Sequence, residues 1–180
     1  PLREGLRLVH NTLVGIGKRQ NIRIGASGKI ISGYDIVRAI AIGADWCNSA
    51  RGFMFALGCI QSRSCHTDHC PTGVATQDLN RQRALVVPDK AERVKNFHRH
   101  TVEALAELVG AAGMKHPEEI TAHQLMVRNS AGKATPMSLH LPHVLENALG
   151  IEAINNYQGL PEEFEHFWLG ARVDRFGLNQ

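Results

Sequence analysis

Cys59, Cys65 and Cys70 are three of the chain's four cysteines, and they stand in one short stretch with C-x5-C-x4-C spacing. Thiolates are reactive, and three so close together need a chemical reason. Ligation of an iron–sulfur centre supplies one, because sulfur is a soft ligand that suits iron–sulfur clusters and zinc. The competing readings are a zinc site completed by His66 or His69, thiols that order only when metal arrives, and two disulfides in an oxidising compartment. Zinc knuckles are usually tighter, C-x2-C to C-x4-C, which favours iron–sulfur here. His66 and His69 then read as loop groups around the ligands.

A second set of residues precedes the cysteines. Ser27-Gly28-Lys29 is a glycine turn after the short alternating stretch Asn21–Ala26. A turn between a strand and a helix leaves backbone N–H groups aimed outward, where a phosphate fits. Gly28 allows close approach of the backbone, and Lys29 adds charge. Ser49-Ala50-Arg51 repeats the arrangement at the end of the next strand. Two adjacent strand ends sharing one phosphate is the pattern of strands seven and eight in a (β/α)8 barrel. The candidate anion-binding residues are therefore Gly28, Lys29, Ser49, Ala50 and Arg51. The plainer alternative is a pair of ordinary tight turns.

These residues need elements to hold them. Leu6, Val9, Leu13 and Ile16 recur at helical spacing and predict a helix over 4–19. Ser32 and Asp35 predict a capping box that opens a second helix with Ile36, Val37, Ile40 and Ala41 as its buried stripe. Residues 44–49 predict a strand buried on both faces, and 51–57 a short helix closed by Gly58. Alternation of this kind implies parallel strands with crossover helices. Residues 59–78 form a long loop. Asp89 and Glu92 predict a second capping box before a helix that runs to Gly113. Pro117–Ile120 and Thr121–Gln124 read as turns opening another helix, 130–142 as loop, and 141–149 and 162–176 as helices.

The chain has 180 residues, 43% of them hydrophobic, and a net charge of +3 with no long basic run. That balance gives no reason to expect nucleic acid as a partner. No apolar run has transmembrane length and no signal peptide is visible, so the expected location is the cytoplasm. The chain opens on Pro1 and not Met, so an upstream piece is expected. Cys47 reads as a small core residue, Asp45 as a turn residue at a strand start, and Phe164, Phe167 and Trp168 as core or docking surface. His98 and His100 stand two apart on a helix and do not share a face.

Several runs resemble a known family. Ile24–Ile30, Gly33–Ala39, Ile42–Asp45 and Cys47–Arg51 resemble the end of FMN-binding (β/α)8 barrels. Ala56–Gln61 and Cys70–Asp78 resemble the FMN-binding domain of glutamate synthase, as does Asp89–Val94 with its long helix. The resemblance implies an α/β fold: the last two βα units of a TIM barrel, strands seven and eight, with a mostly helical C-terminal extension. It divides the chain into 1–58, the barrel units; 59–78, the cysteine loop; 79–125, a helical closing segment; and 126–180, the extension. It implies FMN held by its phosphate at Gly28, Lys29, Ala50 and Arg51, and a [3Fe-4S] cluster on Cys59, Cys65 and Cys70. It implies electron relay for reductive amination of 2-oxoglutarate to glutamate, with a ferredoxin or an NAD(P)H-linked subunit as electron donor. Since a whole barrel needs about 250 residues, the expected partner is the rest of the barrel or an upstream domain. Exposed strand edges predict self-association of the chain alone, and this chain by itself is expected to be inactive. The alternatives are a fragment without cofactor and a small zinc-stabilised interaction domain.

Overall fold

A computed structural model of the chain describes residues 2–150, 160–162, 164 and 168. Helix α1 covers Leu2–Gly15 and buries Leu6 and Asn11. It ends as a Schellman turn: the N–H of Lys18 donates to Leu13 O at 2.8 Å and that of Gly17 to Val14 O at 3.0 Å. Gly17 takes the left-handed conformation this turn requires, with φ 65°. The helix thus stops before the expected 19, and a short 3-10 turn at Arg19–Asn21 follows.

Strand β1 (Gly25–Ser27), helix α2 (Gly33–Ala41) and strand β2 (Trp46–Asn48) make one βαβ unit. The strands are parallel, with Gly25 opposite Trp46, Ala26 opposite Cys47 and Ser27 opposite Asn48. The capping box at α2 forms as its sequence predicts: the N–H of Asp35 donates to Ser32 Oγ at 3.2 Å, and that of Ser32 to Asp35 Oδ2 at 3.0 Å. Leu6, Ile24, Ala26, Ile30, Ala39 and Ile42 form the core beneath this unit. Strand β2 is not buried on both faces: its flanking residues Trp46 and Asn48 are exposed. The sheet has two strands among the described residues, so nothing there flanks β2 on its outer edge.

Helix α3 (Arg51–Leu57) is closed by Gly58, which is left-handed at φ 110°. After the cysteine loop come a short helix α4 (Leu79–Gln82) and the long helix α5 (Val87–Ala111). The expected capping box at Asp89 and Glu92 is corrected here. The helix starts earlier, with Val86 at the cap and Pro88 in the first turn, where proline's fixed φ suits helix initiation. Asp89 is already inside that turn and pairs with Lys90 at 3.3 Å. Helix α5 packs on α2 and α3. Val37 and Ala41 of α2, Val109 of α5 and Ile120 form one buried cluster. Between α2 and α5, a Cβ on Gly33 would lie 2.7 Å from the backbone nitrogen of Leu105.

The segment after Gln124 begins with a hairpin rather than a helix. Strands β3 (Met126–Arg128) and β4 (Ala134–Pro136) are antiparallel. Asn129 and Gly132 make the turn between them, with Gly132 at φ 80°. Residues 146–149 form turns and not the expected helix, because Asn147 sits in the left-handed region at φ 63°. Val144, Ala148, Leu149 and Phe164 nonetheless form a small buried cluster. The Phe164 reading as core therefore holds, and the Trp168 ring donates to Leu149 O at 3.3 Å. Phe167 and most of the expected 162–176 helix lie outside the described residues. No described helix is long and apolar enough to cross a membrane.

Candidate phosphate and cysteine site

Both strand-end turns open on one cavity of about 750 Å³. Ser27, Gly28 and Lys29 line it from the β1–α2 turn, and Asn48, Ala50 and Arg51 from the end of β2. Gly28 has φ 133°, a conformation that side-chain-bearing residues rarely adopt. Lys29 follows it in the left-handed region at φ 56°. None of the backbone N–H groups of Gly28, Lys29, Ala50 and Arg51 finds an acceptor among the described residues. These four residues, two of them cationic, line one cavity, a set of donors complementary to an anion.

Ser49 plays a different part from its neighbours. It does not line the cavity. Its hydroxyl donates to Ile30 O at 2.6 Å and so ties the end of β2 to the β1–α2 turn. Gly52 lets α3 approach, since a Cβ there would lie 2.6 Å from the Phe97 ring and 2.7 Å from Ser49 Oγ.

The cysteine loop is divided between two settings. Cys59 and Cys65 line the cavity, together with Gln61 and Arg63. Cys70 does not; it is buried in the following turn. Its sulfur lies 3.6 Å from Thr72 Oγ1. That contact, with the N–H groups of Ala75 and Thr72, holds the thiol down to about 7. The turn is held from outside by Asp68 and Thr76. The Thr76 hydroxyl donates to the Asp68 carboxylate at 2.9 Å, and the N–H of Gln77 donates to the same oxygen at 2.5 Å. These bonds, the Gln77 N–H foremost, hold the Asp68 carboxyl below its ordinary value. Among the described residues, no three Cys, His, Asp or Glu groups come together closely enough to hold a metal ion. The two strand-end turns as placed form an arrangement suited to an anion. The three cysteines are divided, two on the cavity and one apart.

Cys47 is half-buried, and desolvation pushes its thiol up to about 11. It is not a nucleophile at neutral pH. His98 stacks on Phe53 at 6.3 Å.

At the opposite end of the strands lies a network that the sequence reading reduced to a turn residue. Asp45 Oδ2 pairs with Arg19 at 2.9 Å and accepts the N–H of Ile24 at 2.6 Å, and Oδ1 pairs with Arg23 at 3.3 Å. Burial opposes ionisation of Asp45, but the Arg19 and Ile24 hydrogen bonds outweigh it and hold the carboxyl below its ordinary value. The same Arg19 donates through Nε to His10 Nδ1 at 3.1 Å. Burial, with Arg7 and Arg19 nearby, pulls His10 down to about 4, so the ring is neutral and accepts that bond. The signal was the pair of arginines before β1, but ion pairs across twenty or more residues leave no periodic trace.

Residues 1–115 match the conserved region in glutamate synthase. The chain is 40% identical over 132 residues to the glutamate synthase large subunit-like protein YerD of Bacillus subtilis, covering 73% of this chain and 25% of that protein. It is 34% identical to the glutamate synthase (NADPH) large chain of the same organism, covering 67% of this chain and 8% of that one. It is 32% identical to the ferredoxin-dependent glutamate synthase 2 of Synechocystis, covering 81% of this chain and 9% of that one. The chain thus spans a quarter or less of the length of these relatives.

Proposed function

The chain belongs to the family of the glutamate synthase conserved region, and from that premise we propose that it is the FMN-phosphate and iron–sulfur portion of a glutamate synthase-type oxidoreductase. In this reading β1 and β2 are strands seven and eight of a (β/α)8 barrel whose other strands come from the rest of the barrel or an upstream domain. The single observation that carries it is the shared cavity: the two strand-end turns and two of the three clustered cysteines face one space.

Each residue then has a task. The N–H groups of Gly28, Lys29, Ala50 and Arg51 bind the phosphate of FMN, and the side chains of Lys29 and Arg51 neutralise it. Ser49 keeps the two turns at a fixed separation. Cys59, Cys65 and Cys70 are the thiolates of a [3Fe-4S] cluster. Hydrogen bonds from Thr72 and Ala75 hold the Cys70 thiol down, and hydrogen bonds to a ligand sulfur tune a cluster's potential. Asp68 and Thr76 orient its turn. When bound, the two groups supply electron relay and hydride delivery for the reductive amination of 2-oxoglutarate. The electron donor would be a ferredoxin or an NAD(P)H-linked subunit, as the names of the relatives suggest.

A second reading is favoured by the position of Cys70 outside the cavity: the chain binds FMN phosphate but holds no cluster. Anaerobic reconstitution with iron and sulfide separates the two. About three irons and four sulfides per chain with broad absorption near 400 nm support the cluster. Zinc uptake without sulfide would remove it.

A further inference from the structure

Lys29, Arg51 and Arg63 all line the phosphate cavity, and no aspartate or glutamate does. None of the three cations has an ion pair or side-chain hydrogen bond among the described residues. Lys29 and Arg51 belong to the strand-end turns. Arg63 belongs to the cysteine loop and stands between Cys59 and Cys65, both on the same cavity.

The backbone brings Arg63 there at a cost. Gln61 and Arg63 are both left-handed, at φ 58° and 59°, a region that residues with a Cβ seldom occupy. Both residues nevertheless line the cavity. Ser62, between them, stays out and lies hydrogen-bonded to Ser64 at 2.8 Å. Strain of this kind persists only where the surroundings compensate for it, and a bound anion under the guanidinium is such compensation. A dianionic phosphate is already balanced by Lys29 and Arg51. A third cation, carried on a separate loop, therefore contributes attachment of that loop. Guanidinium suits this, since its planar fork bonds phosphate oxygens two at a time.

We propose that Arg63 clasps the cysteine loop onto the flavin phosphate, so that phosphate occupancy and the ordering of Cys59 and Cys65 are coupled. This rests on the phosphate reading given above. Coupling free energy is reciprocal, so the assembled loop also strengthens phosphate binding.

The test uses the cluster-free chain with FMN as ligand. Alkylation of Cys59 and Cys65 by iodoacetamide is followed by mass spectrometry, with half-buried Cys47 as the internal monitor of folding. Saturating FMN is expected to slow alkylation of Cys59 and Cys65 at least fivefold in the parent chain. In Arg63→Gln, still saturated with FMN, the protection is expected to fall below twofold. Arg63→Lys, which keeps the charge, is expected to restore part of it, and Cys47 reactivity stays unchanged throughout. Equal protection in Arg63→Gln would overturn the clasp while leaving the phosphate site standing, because the flavin alone would then be shielding the thiols. Failure of the parent chain to bind FMN would overturn both.

Discussion

The hydroxyl of Ser49 donates to the carbonyl oxygen of Ile30 at 2.6 Å. This bond joins the end of β2 to the turn after β1, and so sets the separation of the two turns on the cavity. Ser49→Ala leaves the Ile30 carbonyl without that donor. A part-buried hydrogen bond of this kind stabilises by about 1 kcal/mol. Urea denaturation is expected to show a loss of that size, and FMN affinity is expected to fall several-fold as the turns drift. An unchanged affinity would mean that the turns are fixed by other contacts.

Cysteine substitutions should divide by position. Cys59→Ser, Cys65→Ser and Cys70→Ser each remove a proposed ligand and are expected to abolish stoichiometric iron and sulfide after reconstitution. Cys47→Ser, in β2 with its thiol pushed up to about 11, is expected to keep both. Full iron retention in Cys70→Ser would restrict the ligand set to the two cysteines on the cavity.

Stability should fall with acid in two stages. His10 is pulled down to about 4 in the fold from an ordinary value near 6.5. The unfolded chain therefore binds the proton first, and the contribution of neutral His10 is present above about 6.5 and lost as pH falls towards 4. Asp45 is also depressed, so its contribution persists lower and is lost below its ordinary value of about 3.9. Urea midpoints measured from pH 7 to pH 3 are expected to decline throughout. His10→Asn is expected to flatten the upper part of that decline only, and Asp45→Asn the lower part only.

Gly33 marks where α2 meets α5. An alanine there would place its Cβ 2.7 Å from Leu105 N and 3.0 Å from Ala104 C. Both are backbone atoms, so the helices must separate. Overpacking of this kind costs roughly 1–3 kcal/mol. Gly33→Ala is expected to lower the urea midpoint accordingly, and a midpoint equal to the parent's would show that the helix contact yields easily.

What could be read from the sequence follows from the range of the interactions. The βαβ unit, the Ser32–Asp35 box and α3 with Gly58 were legible because each is written locally, in alternation, caps and a left-handed glycine. The two turns at Gly28 and Arg51 were legible for the same reason. The start of α5 was misplaced, because Pro88 and the capping pattern at Asp89 compete and the proline's geometry wins. Of the β3–β4 hairpin, the first strand was read as the opening of a helix and the second as loop, although Asn129 and Gly132 carry a turn signal; the strands are three residues each and show no clear alternation. The Asp45 hub and the Ser49–Ile30 bond depend on residues brought together by folding, and no spacing rule announces them.

The proposed function depends on the cavity at the ends of β1 and β2 being a flavin-phosphate site. Titration of the purified chain with FMN, followed by flavin fluorescence and set beside riboflavin, tests this most directly. The expected result is saturable binding of FMN, at least tenfold tighter than riboflavin, weakened roughly tenfold to a hundredfold in Arg51→Ala by loss of a charge-assisted bond. Equal affinity for FMN and riboflavin, or binding untouched by Arg51→Ala, would contradict it.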